Sequence, residues 1–584
     1  MKTHIPGKDA ALEDTIENFQ TKLKELGFNI GNASWHNPVP NVWSVQIDDT
    51  DAPMNVTTGK GATKQAALAS ALGKQFERLA TNDFYANHYL GAAVATGEFV
   101  HYPNEKWFPI DLEENLPPDA ILDERLTQFY DPTLELLGTD LIDLQSSNMA
   151  RGICTLPFER QSDKQVINMP ANIIGNLYVS NGIAAGNTRF EARTHALCEI
   201  IERKIKHRVL SGQIDLPAIP EQALNRSTSF TASVDALKAK GLQIKGFDAS
   251  LGGQYPVACI AVANPQFSTA LISFAAHPCF DVALERGITE LLQGRSLDEL
   301  NTLLASLSDN DASNEQHVPD HQLAESTGFI ATARLQNEPE LEFTGWNISG
   351  NAEERFDHLM SLLHAAGTDA YIADYDHLGV DCCRIIVPGW SEIAPVEDLI
   401  EANNNVALEL REVLLALPAI EWDAEQYAEM FHIVEEEFDD ETLLPTMLGL
   451  AVQPGDAWQT LRIGELKCLI ALAGGDLELA LEFAKWCVAF NASSYGADRL
   501  NFFRCLVDSL ALALDEARDP AQCKADFEHT FGTDTVAAAW GSIEGSIHFY
   551  GLTAGDLTMS QFPAHQQLLH SYQKLQVAKQ AKQR

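Results

Sequence analysis

The sequence has little positive charge. Its 40 lysines and arginines face 82 aspartates and glutamates, which gives a formal net charge of −42 at pH 7. Proteins that hold a nucleic-acid backbone need a basic surface, so this balance argues against direct nucleic-acid binding. A small anionic ligand stays compatible with this charge, because bound cations and a few local arginines can overcome the field of the whole surface.

Long apolar runs are also missing. No stretch of about 18 apolar residues occurs, and the first residues, MKTHIPGKDAALED, lack the apolar region of a secretory signal. We therefore expect a cytoplasmic protein without membrane insertion. The ten cysteines are dispersed and form no CxxC pattern, so no iron–sulfur or structural zinc site is predicted. The adjacent Cys382 and Cys383 are interpreted as packing thiols on opposite faces of a strand.

Several familiar catalytic motifs are absent as well. The sequence contains no HExxH and no GxSxG, which removes the basis for a zinc protease or an α/β-hydrolase. It also contains no GxxxxGK[ST] loop and no strand-linked GxGxxG. A nucleotide site in this chain would therefore have to use another device.

The most informative segment is residues 180–203, SNGIAAGNTRFEARTHALCEIIER. Residues 190–209 contain no proline or glycine, and Asn187 and Thr188 offer capping oxygens, so a helix is predicted. At about 100° per residue, its three glutamates fall within an arc of about 80°, with an arginine beside them. Apolar residues take most of the remaining surface, so we expect these carboxylates to be partly buried. The four residues are Glu191, Glu199, Glu202 and Arg203.

Buried carboxylates need compensating cations, because otherwise they repel one another and become protonated. Mg²⁺ accepts a few carboxylate oxygens together with phosphate oxygens, and an adjacent guanidinium can hold a phosphate through two hydrogen bonds. The segment therefore predicts a metal and phosphate site. The alternative is a solvated acidic helix face, since about one residue in seven is acidic and a helical Glu-x-x-Glu arises often by chance.

Two further helical segments favour the metal interpretation. Residues 71–78, ALGKQFER, repeat the pattern of residues 196–203, ALCEIIER. Residues 283–295 place Arg286 one turn before Glu290, which is the weaker order for a surface ion pair. Three helices could thus hold different parts of one ligand.

These residues resemble the YcaO family of ATP-binding proteins. The resemblance rests on the spacing of Ser70, Glu77 and Arg78, on the pattern SxGxAxGxTxxEAxxxALxExxER at 180–203, and on the Arg286 and Glu290 helix. It extends along essentially the whole chain through IPGKDAAL, NPVPNVWSV, HYPNEKWFP, NIIGNLYVSNG, SLGGQYPV, YIADYDHLGV, RIIVPG and LRIGELK.

The resemblance implies an Mg–ATP site built from three helices. It implies as metal ligands Glu77, Glu191, Glu199, Glu202 and Glu290. It implies as ATP contacts Lys8, Ser70, Asn187, Arg203 and Arg286. For Lys8, a flexible terminal charge is an equal alternative.

One position departs from the family pattern. The motif SxxxExxER asks for glutamate where this chain has Lys74. The exchange changes the local charge by two units, so Lys74 either discourages a nearby Mg²⁺ or replaces it by contacting a phosphate. The number of metal ions is therefore left open.

The expected fold class is α+β, a YcaO-type domain of mixed sheets and helices followed by an all-α, tetratricopeptide-like domain. A helix is predicted at 10–26, strands at 43–48, 257–263, 270–275, 371–375 and 383–387, and an exposed loop at 306–314. We expect an ATP-binding domain at 1–420, an acidic linker at 421–445 and a helical domain at 446–584. The last contains predicted helices at 458–473, 476–491 and 498–516, and a basic, fraying tail at 572–584. This domain either binds partners or merely supports the first domain or a dimer.

The shared chemistry of the family is ATP-dependent phosphorylation of a peptide amide oxygen. The full-length resemblance further implies an accessory factor for β-methylthiolation of an aspartate in ribosomal small-subunit protein twelve, beside a radical-SAM methylthiotransferase. The expected partners are a peptide or ribosomal protein substrate and a second copy in a homodimer. Two alternatives stay open: an azoline- or thioamide-forming enzyme acting on another peptide, or a nucleotide-regulated scaffold without catalysis. The azoline-forming branch often ends in PxPxP, whereas this sequence ends in KLQVAKQAKQR.

Overall fold

A computed structural model describes residues 2–177, 180–309, 327–392, 404–518 and 520–582. The first unit of the fold is a three-stranded antiparallel sheet, in the order β1-β2-β3, covered by two helices. Phe19 and Phe76 join these helices, with ring centroids 5.1 Å apart. The elements are α1 Leu12–Glu25, β1 Ile30–Val39, β2 Val42–Asp49, β3 Ala52–Gly61 and α2 Lys64–Ala80.

Two larger antiparallel sheets follow. One has the order β4-β5-β12-β13-β7 with β6 paired to β5, and the other has the order β11-β10-β9-β8. Their strands are β4 Lys106–Phe108, β5 Ile153–Arg160, β6 Val166–Pro170, β7 Ile183–Gly186, β8 Gln243–Asp248, β9 Val257–Ala263, β10 Thr269–Ala276, β11 Thr327–Ala331, β12 Tyr371–Tyr375 and β13 Asp381–Ile386. The helices among them are α3 Gly91–Ala95, α4 Glu124–Tyr130, α5 Ala171–Leu177, α6 Arg189–Ser211, α7 Glu221–Leu224, α8 Thr228–Ala239, α9 Phe280–Leu291, α10 Leu297–Asp309 and α11 Ala352–Ala365.

The α6 helix lies between these two sheets. It packs on β7 and β13 on one side and on β10 on the other, with α11 beside it. Its apolar residues Ala196, Leu197, Ile200 and Ile201 are buried, which removes most of the helix surface from water. The predicted helix at 190–209 is confirmed, and the α+β class is confirmed with it.

The described part of the chain from Arg411 onward is helical. Its elements are α12 Arg411–Ala416, α13 Ala424–Glu437, α14 Leu444–Met447, α15 Ile463–Gly474, α16 Leu477–Phe490, α17 Ala497–Ala513, α18 Pro520–Phe531, α19 Thr533–Ile543 and α20 Pro563–Ala581. Neighbouring helices pack side by side around Phe431, Trp458, Phe483 and Phe502. The range 421–445, predicted as a linker, contains α13, whose Tyr427 and Phe431 belong to this core.

The last helix packs against the beginning of the fold. In α20, Lys574 lies 2.7 Å from Asp51, and Lys579 donates 2.6 Å and 2.8 Å hydrogen bonds to Asn82 Oδ1 and the His101 carbonyl. The prediction of a fraying tail at 572–584 is wrong for the described residues up to 582. The segment is part of α20, which buries apolar residues at helical spacing. One of them, Tyr572, belongs to the core around α1 and α2.

Smaller predictions have mixed outcomes. The loop predicted at 306–314 is wrong at its start, because residues 306–309 continue α10, and its remainder lies outside the described residues. The predicted packing role of two thiols is confirmed, since buried Cys382 and Cys383 belong to different hydrophobic clusters.

Within the described part of the chain, none of the helices has the length and apolarity needed to cross a bilayer.

Candidate functional site

The polar face of α6 begins at a tight turn from β7. A Cβ atom on Gly186 would lie 2.5 Å from the Ala192 nitrogen, so only glycine permits this close approach. The Thr188 hydroxyl then caps the helix by accepting a 3.3 Å hydrogen bond from the Glu191 N–H. From there, four polar residues lie within about 80° on one side of the helix: Glu191, His195, Glu199 and Glu202.

At the first turn of α6, Glu191 is held by the N-terminal segment. Lys8 Nζ lies 3.1 Å from its Oε1, and the Asp9 N–H donates a 2.9 Å hydrogen bond to Oε2. Asn187 Nδ2 lies 3.1 Å from both oxygens. Burial would raise the pKa of Glu191, but Lys8 and these hydrogen bonds outweigh burial and hold the pKa below its usual value. In the structure the Lys8 ammonium pairs with Glu191, and its contact with a nucleotide stays a prediction.

The middle of the site is formed with α2, where Glu77 is buried. Burial raises the pKa of Glu77 to about 8, with Lys74 opposing the rise and Glu199 adding to it. Ser70 precedes Lys74 by one helical turn and lies on the same side of α2. The positive charge beside Glu77 is thus too small to keep this carboxylate ionised at neutral pH.

At the far end of the site, α6 meets α9 and β10. Glu202 accepts a 2.9 Å hydrogen bond from the Ala276 N–H. Burial raises the pKa of Glu202, although Arg286 and Lys60 counteract it. On α6 itself, Arg203 Nη2 donates a 3.1 Å hydrogen bond to Glu199 Oε1.

Lys60, at the end of β3, completes this end of the site. Its ammonium contacts the Glu290 carboxylate directly. Burial, Arg286 and Lys74 lower the pKa of Lys60, against the pull of Glu202 and Glu199. Charged side chains of the three predicted helices therefore meet in one place together with Lys60 of β3, and this cluster is called the pocket below.

Three residues of this pocket were missed. His195 could have been found, because it is one turn from both Glu191 and Glu199. The sequence around Lys60 and around His277 gives no indication that they belong to the site, because their positions depend on how β3 and β10 pack beside α9. Burial first, and then Arg286 and Lys8, lower the pKa of His277 to about 3 and that of His195 well below its usual value. Neither imidazole is therefore expected to add positive charge to the site.

The donor set fits a divalent cation with phosphate. Carboxylate oxygens from all three helices are hard ligands of the kind that Mg²⁺ binds, and lysine and arginine side chains lie among them. The raised pKa of Glu77 agrees, because a divalent cation would supply the positive charge that this carboxylate lacks.

A second group of possible ligands lies elsewhere, where His101, Asp143 and Cys154 are buried together. Asp143 accepts hydrogen bonds from His101 Nε2 at 3.0 Å, from the Ser146 hydroxyl at 2.7 Å and from the Ser146 N–H at 2.9 Å. These bonds satisfy the buried carboxylate without a metal, so the group is a structural network.

Comparison with known proteins identifies the family. The sequence model described as "YcaO cyclodehydratase, ATP-ad Mg2+-binding" matches residues 58–391, and that of the "YcaO cyclodehydratase C-terminal domain" matches residues 407–581. The chain belongs to the YcaO family. A YcaO relative from Escherichia coli (strain K12), named "Ribosomal protein S12 methylthiotransferase accessory factor YcaO", is 50% identical over 581 residues, which cover 99% of both chains.

Two further relatives were found. An "Uncharacterized protein" of Haemophilus influenzae is 48% identical over 580 residues, again 99% of both chains. A solved YcaO structure from Methanopyrus kandleri, bound with AMPPCP and Mg²⁺, is 16% identical with a TM-score of 0.40 and covers 66% of this chain and 92% of its own. This last likeness is too weak to support an inference about individual residues.

Proposed function

We propose that this protein binds Mg–ATP in the pocket between α2, α6 and α9. The proposal rests on one observation: carboxylates, lysines and arginines from separate parts of the chain lie close together there. The proposed metal ligands are Glu77, Glu191, Glu199, Glu202 and Glu290. The proposed nucleotide contacts are Lys8, Ser70, Asn187, Arg203 and Arg286.

The individual roles follow from the contacts. Arg286 and Arg203 lie beside Glu202 and Glu199, where they can hold phosphate oxygens that share a metal with these carboxylates. Neutral His195 and His277 can donate or accept a hydrogen bond without adding charge to the pocket. Bound Mg–ATP would supply a γ-phosphoryl group for transfer to a peptide amide oxygen, which makes that oxygen a leaving group.

We further propose that the protein acts as an accessory factor for β-methylthiolation of an aspartate in ribosomal protein S12. The support is the 50% identity to the E. coli accessory factor over 99% of both chains. The proposal includes a cytoplasmic location, a radical-SAM methylthiotransferase as partner and a homodimer, whose mass is measurable by analytical ultracentrifugation. It also proposes domains at 1–420 and 446–584, joined through 421–445.

ATP hydrolysis tests the proposed chemistry. The assay compares turnover with and without an S12 peptide containing the modified aspartate, for the natural protein, Glu290→Gln and the control Glu285→Gln. Glu285 lies on the same helix, but its carboxylate accepts a 3.1 Å hydrogen bond from Ser229. We expect peptide-stimulated turnover that is lost only in Glu290→Gln.

A reconstituted methylthiolation reaction separates the alternatives. If S12 is modified at the natural rate with Glu290→Gln, the protein is a scaffold and the catalytic part of the proposal is wrong. If other peptides stimulate turnover and S12 does not, an azoline- or thioamide-forming activity replaces the accessory role.

A further inference from the structure

Lys60 lies opposite Glu290 because of how β3 packs. Its neighbours Gly59 and Gly61 touch α2 so closely that added Cβ atoms would lie 2.2 Å from Ala67 O and 2.6 Å from Ala66 Cβ. Side chains alternate along a strand, so the residue between the two glycines points away from α2.

The other side of β3 faces α9, which packs on both β2 and β3. The chain just after α9 is attached to β2, because the Gly294 N–H donates a 3.0 Å hydrogen bond to the hydroxyl of Ser44. Ser44 pairs with Lys60 in the antiparallel register. The end of α9 and the position of Lys60 are thus fixed by the same strand pair, which brings the Lys60 ammonium onto the Glu290 carboxylate.

Acidic and basic side chains lie together around this contact. The carboxyl groups of Glu77, Glu199, Glu202 and Glu290 lie there among basic side chains that include Lys60, Lys74, Arg203 and Arg286. A divalent cation that binds Glu290 meets the ammonium of Lys60 on the same carboxylate, and the two positive charges repel. The flexible lysine stem allows the ammonium to leave, provided that another anion receives it.

We infer that Lys60 is an internal competitor of divalent cations at Glu290, and that it transfers to a phosphate oxygen when the metal arrives with a nucleotide. This inference rests on the proposed Mg–ATP site and adds that the binding of the metal and the binding of the nucleotide depend on each other. A metal ion that binds alone displaces the Lys60 ammonium from Glu290 and leaves it without an anionic partner. A metal ion that binds with a triphosphate brings a phosphate oxygen to which this ammonium can bind. Metal and nucleotide therefore bind cooperatively, and the coupling acts equally on both ligands.

The experiment measures two affinities in the natural protein and in Lys60→Met. Mn²⁺ alone is titrated by electron paramagnetic resonance, and AMPPCP with saturating Mg²⁺ is titrated by calorimetry. We expect Lys60→Met to bind Mn²⁺ about 5- to 50-fold more tightly and AMPPCP about 5- to 50-fold more weakly, the range for one charged interaction. Lys245→Met, an exposed lysine on β8, is the control and should change neither affinity.

Two results overturn the inference. If Lys60→Met binds Mn²⁺ no more tightly than the natural protein, Lys60 does not compete for Glu290. If Mn²⁺ binding tightens but AMPPCP binding is unchanged, the transfer to phosphate is wrong. A natural protein that binds no AMPPCP refutes the Mg–ATP proposal, yet the Mn²⁺ titration still decides the competition. Lys60→Gln, which keeps a polar group, repeats both titrations should Lys60→Met fold poorly.

Discussion

Lys8 Nζ lies 3.1 Å from Oε1 of Glu191, which joins the beginning of the chain to the first turn of α6. The lysine side chain is 37% exposed and the glutamate side chain 3% exposed, so the pair is open to water on one side only. This ion pair aligns the N-terminal segment with the proposed nucleotide pocket.

Removing the charge of Lys8 should weaken nucleotide binding more than it weakens the fold. We expect Lys8→Met to reduce AMPPCP affinity about 5- to 20-fold, because a charge-assisted contact is lost. The melting temperature should change little, since a partly exposed ion pair contributes about 0–1 kcal/mol. Lys2→Met, which breaks the exposed pair with Asp14, is the control for calorimetry. Equal AMPPCP affinities in all three proteins would contradict the assignment.

Lys74→Glu should increase the number of metal ions bound with the nucleotide. The substitution places an additional helical carboxylate near Glu77 and Glu199 and removes a positive charge. We expect one additional Mn²⁺ per bound AMPPCP, counted by electron paramagnetic resonance. An unchanged count would mean that this position does not control the metals.

Glu77 should make the metal-free protein less stable as the pH rises. Its folded pKa is about 8 against an ordinary 4.5, so between these values the folded protein holds a proton that the unfolded chain releases. Stability should therefore fall with increasing pH across that window. Glu77→Gln should remove this dependence and raise the melting temperature at pH 8 by on the order of 2–4 °C. Melting curves from pH 5 to 9 in chelator measure the effect. A parallel pH dependence in both proteins would refute it.

Asp143 should stabilise the fold without a metal. Although burial would raise its pKa, His101 and Ser146 lower it, so its contribution is present at neutral pH and lost as the pH falls below about 3.8. We expect Asp143→Asn to cost about 1–3 kcal/mol in denaturant unfolding. Chelator treatment of the natural protein should leave the unfolding curve unchanged, whereas a shift on metal removal would identify a metal site instead.

Lys579 should hold α20 in place. The residue is 3% exposed, and its ammonium donates to Asn82 and to the His101 carbonyl, so removing the ammonium leaves buried acceptors without this donor. We expect Lys579→Met to destabilise the protein by about 1–3 kcal/mol, measured by denaturant unfolding. Lys582→Met, whose side chain is half-exposed, should cost less than about 0.5 kcal/mol. Equal effects would contradict the role of Lys579.

The sequence predicted what depends on local pattern. Thr188 as a cap and the glutamate face of α6 follow from helical spacing, and both are confirmed. Lys60 could not be predicted, because its contact with Glu290 depends on the packing of β3 against α9. The burial of Tyr572 was missed for a similar reason, since a basic C-terminal segment gives no sign of the core that it will cover. The metal ligands and ATP contacts were assigned from the family resemblance, whereas the position of His195 on the same helix face could have been predicted from helical spacing alone.

The packing of α20 against the first sheet has a consequence for biosynthesis. Its residues pack on β3, the strand that carries Lys60, and cover a core shared with α2. During translation, the elements around the pocket leave the ribosome early, but this covering helix leaves hundreds of residues later. The part of this core that α20 covers therefore stays exposed to water in the nascent chain until α20 has been made.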